Sequence, residues 1–186
     1  MTNPPALSIR RYFVKMTGGG QAPPGVGMTE ILWSWLGAAI GIGLVAWLNR
    51  DLVDHTQLLM MIGSFGASAV LVYGAVRSPL AQPRNLIGGH VVSALVGVAC
   101  RDLIHPVWLA AAIAVATAIA AQHITRTLHP PGGATALIAV TGGPRIVQLG
   151  FLYAAIPVGA GALILLAVAV VVNNLSSGRR YPEYWW

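Results

Sequence analysis

Two short motifs of small residues could bind a small anion within an otherwise apolar chain. Gly66-Ala67-Ser68 and Gly132-Gly133-Ala134-Thr135 each place a hydroxyl beside glycine and alanine, and a glycine or proline that can break a helix lies nearby. The N-terminal end of a broken helix presents backbone N–H groups and partial positive charge, and small side chains let an anion approach them. The alternative explanation is close helix packing, the usual role of small residues in membranes.

Histidine and arginine residues lie beside these motifs. His129 precedes the second motif, where it could carry a proton or contact an anion; capping of the broken helix is the alternative. His90 lies inside an apolar segment, where an ionisable group usually faces a cavity or a partner. Upstream, Arg84 could draw in an anion or could simply anchor the chain at the membrane surface. The predicted approach to the site comprises Arg84, Asn85, His90 and His123, although His123 also fits an interfacial position.

The other polar residues argue against catalysis. No carboxylate lies within a predicted membrane span, and no nucleophile–base spacing or pair of closely spaced histidine ligands is present. The single cysteine, Cys100, excludes a zinc or iron–sulfur site built from several cysteines. We therefore expect no enzyme activity, no metal and no cofactor.

Composition indicates the elements that must hold these residues. Hydrophobic residues make up 56% of the 186 residues and charged residues only 9%, against about 25% charged in soluble domains. We predict an all-α, polytopic transmembrane bundle of about six segments. Their predicted bounds are Ile31–Leu48, Leu58–Val76, Leu86–Cys100, Val107–Ala121, Gly132–Val140 and Leu149–Val172. Segment five is too short to cross a core of about 30 Å unaided, so we expect half-helices at segments two and five.

An internal repeat and the distribution of charge predict the topology. Gly66–Leu71 parallels Gly133–Ile138, which suggests two three-segment repeats that are inverted relative to each other, as in many transporters. With both termini in the cytoplasm, eight of the eleven basic residues fall on the inner side. We predict a cytoplasmic leader at 1–27, a transmembrane domain at 28–175 and a cytoplasmic tail at 176–186, in a bacterial-type inner membrane.

The string His129–Leu137, which begins His-Pro-Pro-Gly-Gly, resembles the signature of the HPP family of integral membrane proteins. Gln82–His90 and Phe65–Leu71 are also similar to that family. The resemblance covers roughly residues 28–175. It implies a permease for a small inorganic monovalent anion, nitrite above all, because members in plastids and cyanobacteria are associated with nitrite transport.

The resemblance leaves two alternatives open, a non-transporting membrane scaffold or subunit and a channel for another small solute. The expected partners are a small inorganic anion, the lipid bilayer and further copies of the chain in a dimer or higher oligomer. We expect no nucleic acid, because the basic residues flank apolar segments rather than forming a stripe between aromatic residues.

Overall fold

The computed structural model describes residues 9–56 and 60–186. The first eight residues of the predicted leader and the predicted start of segment two lie outside these ranges. The described residues form eight α-helices with short 3-10 and π turns, and they contain no β-strand. The helices are α1 Ile9–Met16, α2 Met28–Thr56, α3 Ser64–Ala69, α4 Pro83–Leu103, α5 Val107–Thr125, α6 Pro130–Thr141, α7 Pro144–Leu149 and α8 Ala160–Leu175.

Four helical stretches of the described chain are long and apolar enough to cross a membrane: Met28–Asp51, Pro83–Leu103, Val107–Thr125 and Ala154–Leu175. Large apolar side chains such as Trp35, Ile119 and Leu163 are exposed on them. Such a surface suits lipid rather than water. The chain is therefore an all-helical integral membrane protein, as its composition predicts.

Two shorter apolar helices lie where segments two and five were predicted. Helix α3 continues into a π turn at Val70–Gly74, and together they give eleven residues. Helix α6 has 12 residues, about 18 Å at 1.5 Å per residue, against a hydrocarbon core of about 30 Å. It begins two residues earlier than predicted because proline is accepted at the first helical positions, where its missing N–H has no helical partner.

The predicted segment Leu149–Val172 overlaps the membrane-spanning stretch Ala154–Leu175 but is not one continuous α-helix. The structure breaks it into α7, a 3-10 turn at Gly150–Ala154, a π turn at Ala155–Gly159 and α8. Ile156 has extended backbone angles (φ −133°, ψ 121°). The break follows from Pro157, which lacks an N–H and disfavours the helical conformation in the residue before it.

Arg179 ties the C-terminal tail to the start of α2. Its guanidinium forms an ion pair with Glu30 (Nη2 to Oε1, 2.7 Å) and donates to Ser34 Oγ at 2.8 Å. It also donates to Asn173 Oδ1 at 3.0 Å and to the carbonyl oxygen of Tyr73 at 3.2 Å. This side chain therefore connects the first span, the π turn and α8.

Tyr73 fills the centre of the bundle between α2 and α8. Its ring is fully buried and its hydroxyl donates to the Leu165 carbonyl at 3.1 Å. Gly37 and Gly41 lie directly against the ring, leaving no room for a β-carbon at either position, whereas Gly43 on the same helix has open space.

We therefore expect Gly41→Ala to destabilise the protein by about 1–3 kcal/mol, because the methyl group would overpack against Tyr73. Gly43→Ala is the matched control and should unfold at or above the wild-type temperature. Thermal unfolding in detergent, followed by size-exclusion chromatography, measures the difference. Equal midpoints for the two variants would show that α2 does not pack closely on Tyr73.

Candidate functional site

Five polar side chains meet between the two short helices. We call them the central cluster: Ser64, Ser68, His90, His129 and Thr135. They come from α3, α4, α6 and the residue that precedes α6. All are buried, with at most 1% exposure. A fully buried polar group needs hydrogen-bond partners inside the protein, so these contacts determine what the cluster can do.

The cluster forms one continuous chain of hydrogen bonds. Ser68 Oγ lies 2.7 Å from His90 Nε2 and 2.9 Å from His129 Nε2. At the other ring nitrogen, His90 Nδ1 lies 2.7 Å from Thr135 Oγ1, which is 2.9 Å from Ser64 Oγ. His129 Nδ1 lies 2.8 Å from the carbonyl oxygen of Leu80. The two imidazole rings are 4.9 Å apart between centroids.

The Leu80 carbonyl fixes the positions of the hydrogens when both histidines are neutral. A carbonyl oxygen can only accept, so His129 carries its hydrogen on Nδ1 and accepts from Ser68 at Nε2. Ser68 then accepts from His90 Nε2–H, and His90 Nδ1 accepts from the Thr135 hydroxyl. The two rings are therefore opposite tautomers.

A second set of buried polar groups holds the cluster in place. Gln122 on α5 accepts from the His129 backbone N–H at 2.7 Å and donates to Ser93 Oγ at 2.7 Å. Tyr153 donates to the Thr135 carbonyl at 3.2 Å. These residues support the backbone on both sides of the break before α6, where no helical hydrogen bond is available.

Glycines at two positions allow α4 and α6 to approach closely. A β-carbon on Gly132 would lie 2.6 Å from Gln122 Nε2 and 2.7 Å from Ser93 Oγ. A β-carbon on Gly89 would lie 2.5 Å from the β-carbon of His129. Each part of the string His129-Pro130-Pro131-Gly132 thus has a role. His129 gives its imidazole to the cluster and the two prolines begin α6. Gly132 lies so close to Gln122 and Ser93 that only glycine fits there.

Comparison with known proteins identifies the family from the same region. A family model described as "HPP, transmembrane region" matches residues 23–182. The chain belongs to the HPP family. Two proteins of Dictyostelium discoideum, both named only as transmembrane proteins, are 45% identical to it over 97% of this chain. The chain spans 60% of the length of one of them and 65% of the other. No solved structure matches.

Four of the site residues predicted for this HPP protein, Ser68, His90, His129 and Thr135, meet in the cluster. Several of the N–H groups that were expected to be free at the helix starts are absent or already bonded. Pro130 and Pro131 have none, and the N–H of Gly132 donates to the His129 carbonyl at 2.8 Å. In α3, the N–H groups of Phe65 and Gly66 donate to carbonyls of the preceding turn. The side chains of the cluster are therefore the clearer candidates for donors to an anion.

Four small residues of the two motifs are more exposed than the cluster. Gly66 and Ala67 are exposed, and Gly66 borders a groove against α2. Gly133 and Ala134 are half-buried, and the nearest neighbour of Gly133 is Val115 on α5. Close helix packing therefore explains the glycine at position 132. The exposed residues Gly66 and Ala67 need neither close packing nor anion binding to explain them.

The predicted approach is only partly assembled. Arg84 Nη2 donates to the Thr125 carbonyl at 2.9 Å, and Asn85 Nδ2 donates to the Leu128 carbonyl at 2.8 Å. Both side chains therefore stabilise the connection between α5 and α6. This connection ends at His129. His123 is exposed and separate from the cluster. Of the four residues predicted for the approach, only His90 reaches the cluster.

Ser64, Ser93, Gln122 and Tyr153 were not predicted as site residues. Ser64 precedes Ser68 by four residues and so lies on the same helix face, a signal that the sequence does carry. Gln122 is an uncharged polar residue near the end of an apolar segment. Nothing in the sequence links it to His129, because the contact depends on how α5 packs against the start of α6.

We expect Gly132→Ala to destabilise the fold by about 1–3 kcal/mol, because its methyl group would press on Gln122 and Ser93. Gly133→Ala is the matched control one residue later, where a β-carbon makes only an ordinary contact, 3.9 Å from Val115. Thermal unfolding in detergent compares the two. A Gly132 variant as stable as the Gly133 variant would contradict the close approach of α4, α5 and α6.

Proposed function

We propose that this protein is a permease for a small inorganic monovalent anion, nitrite in the first instance, and that the central cluster is its binding site. The observation that carries the proposal is the meeting of five neutral polar side chains, fully buried, at the two short helices of an apolar membrane protein. Polar groups within a membrane domain commonly mark a solute pathway. The family resemblance supplies nitrite as the solute to test.

The chemistry of the cluster suits a small anion. Its hydroxyl and imidazole groups can donate hydrogen bonds, and the oxygens of nitrite can accept them. Among the described residues, no group of three histidine, cysteine or carboxylate side chains converges that could hold a metal ion. Within the described ranges, no Asp or Glu is seen in contact with the cluster, where a carboxylate would repel an anion.

The directions of the short helices support the proposed inverted repeat. Ser64, at the start of α3, contacts Thr135, which lies five residues after the start of α6. Ser68, four residues further along α3, contacts His129, which precedes α6. The two short helices therefore run antiparallel along their contact. Inverted repeats with interrupted helices at the substrate site are common in transporters, which favours two units related by inversion.

A small anion can reach the cluster only if neighbouring segments move. On one side of the cluster, His129 Nδ1 is hydrogen-bonded to the carbonyl oxygen of Leu80, which lies within the turn Pro79–Ala81. The C-terminal tail covers this turn: Tyr181 donates to the Ala81 carbonyl at 2.8 Å and Tyr184 to the Pro79 carbonyl at 3.1 Å. Burial raises the pKa of Tyr181, so its phenol remains a donor. We propose that this turn and the tail open together.

Charge supports the proposed orientation. On this side, the connections between helices carry Arg77 and Arg126, the start of α4 carries Arg84, and the tail carries Arg179 and Arg180. Basic residues accumulate on the cytoplasmic side of membrane proteins. We therefore propose cytoplasmic termini in a bacterial-type inner membrane. Assembly into a homo-oligomer and the absence of enzyme activity also remain proposals.

A scaffold is the second candidate, and one observation favours it. The hydrogen-bond chain satisfies every side-chain nitrogen and hydroxyl oxygen of the cluster within the protein. A network of this kind could have a purely structural role, which is to hold the two short helices together. Transport measurements separate the two candidates, because the scaffold predicts no solute movement.

Nitrite uptake into proteoliposomes tests the proposal. We expect uptake above that of empty vesicles, and a decrease of about tenfold or more in Thr135→Val, because this change removes the donor to His90 at unchanged side-chain size. Thr141→Val is the matched control on the same helix: Thr141 is exposed and donates only to the Leu137 carbonyl. Its uptake should equal that of the wild type.

Two results would contradict the proposal. Wild-type protein that is folded and inserted, yet moves no more nitrite than empty vesicles do, would leave the scaffold as the better explanation. Equal loss of uptake in the Thr135 and Thr141 variants would keep transport but remove the cluster as its site.

A further inference from the structure

We propose that the permeant anion crosses together with one proton, held by His90, Ser68 and His129, so that transport is electroneutral. This inference rests on the proposed function, since it assigns the coupling ion of the same site. Two features of the cluster support it. Its neighbouring side chains supply no fixed positive charge, and its hydrogen bonds can reverse their direction.

The cluster has no fixed positive charge to balance an anion. Its members from α3 and α6, Ser64, Ser68 and Thr135, are uncharged. Gln122 of α5, which supports His129 from outside the cluster, is uncharged as well. Besides the two histidines, the titratable group next to it is Tyr153, whose phenol donates to the Thr135 carbonyl. Arg84, on α4, donates its hydrogen bond to the Thr125 carbonyl and not to the cluster.

An anion inside a membrane domain is strongly disfavoured unless an opposite charge accompanies it. Histidine is the side chain in the cluster that can supply this charge, because an imidazole can take up a second proton whereas a serine or threonine hydroxyl stays neutral. A proton that arrives on His90 or His129 with the anion would make the pair neutral. The same pair would then leave together when the site opens to the other side.

The hydrogen bonds around Ser68 can accommodate that proton on either ring. When His129 is protonated, its Nε2 becomes a donor to Ser68. The Ser68 hydroxyl hydrogen then turns to the Ser64 carbonyl, 3.3 Å away. When His90 is protonated, its Nδ1 donates to Thr135, which turns its own hydrogen to the Pro131 carbonyl at 3.3 Å. Each change is a rotation of one hydroxyl.

Passing the proton between the rings needs no other group. The N–H of protonated His90 gives its proton to Ser68 Oγ while the Ser68 O–H gives its own to His129 Nε2. One N–H and one O–H bond break and one of each forms. The positive charge moves to His129, His90 keeps its hydrogen on Nδ1, and the Ser68 hydroxyl now donates to His90 Nε2. Two protons at once are disfavoured, because the rings are 4.9 Å apart and like charges repel strongly in apolar surroundings.

Proteoliposomes that contain a pH dye test this inference. With acid outside, we expect nitrite to accumulate and the lumen to acidify by one proton for each nitrite, after subtraction of empty vesicles, which correct for diffusion of nitrous acid through lipid. Potassium gradients with valinomycin impose a membrane potential of either sign. Neither sign should change the rate of uptake.

Variants connect the coupling to the cluster. Replacement of His129 by glutamine should remove the response to the pH gradient, and Ser68→Ala should weaken it by interrupting proton transfer. His123→Gln is the matched control, since His123 is exposed and outside the cluster, and it should retain the one-to-one ratio.

The outcomes separate this inference from the proposed function. No nitrite uptake by the wild type overturns the proposed function, and the inference with it. Uptake that follows the membrane potential and ignores the pH gradient leaves the permease in place but overturns proton coupling. Nitrite uptake and its response to the pH gradient and the membrane potential are all measured on the wild-type protein. The test therefore holds even if a histidine variant does not fold.

Discussion

Polar groups inside a bilayer have no water to bond, so every donor and acceptor at that depth must find a partner within the protein. In this protein the constraint acts most strongly at the break before α6. There the backbone N–H of His129 is taken by Gln122, and its imidazole bridges Leu80 and Ser68. The two prolines that follow contribute no N–H groups. The break can lie inside the protein because these partners are present.

The same contacts connect segments that are distant in the chain. Ser68 is 22 residues from His90 and 61 from His129, and Thr135 is 71 residues from Ser64. Helix α3 has only six residues and would be marginal as an isolated helix. Its serines hold it to α4 and α6, and its aromatic residue Phe65 packs edge-on against His90. Loss of the cluster would therefore release α3 as well as remove donors.

Local patterns in the sequence account for the parts of the site that could be predicted. A hydroxyl within a small-residue motif, a histidine before two prolines and a histidine inside an apolar segment are conspicuous in a chain with so few polar residues. Those patterns identified Ser68, Thr135, His129 and His90. The short length of segment five was equally visible, because Gly142 and Gly143 follow its apolar run closely.

The remaining parts depend on tertiary packing. Arg84 and Asn85 looked like an approach to the site, yet they bind carbonyls of the connection that leads to His129, a contact set by how α4 lies beside the end of α5. Several of the N–H donors expected at the helix starts are bonded within local turns or are absent because the residue is proline. Pro157 was visible in the sequence, but the long apolar run around it concealed the break that it causes.

The His90–Ser68–His129 unit is the part of the cluster that we propose binds the anion. Nitrogen-15 spectra of histidine-labelled protein in bilayers test this most directly. At mildly alkaline pH without nitrite, the structure requires hydrogen on Nδ1 of His129 and on Nε2 of His90. Addition of nitrite should shift the signals of both rings with a saturable dependence and leave His123 unchanged. Two rings of the same tautomer, or signals that do not respond to nitrite in folded protein, would contradict the account.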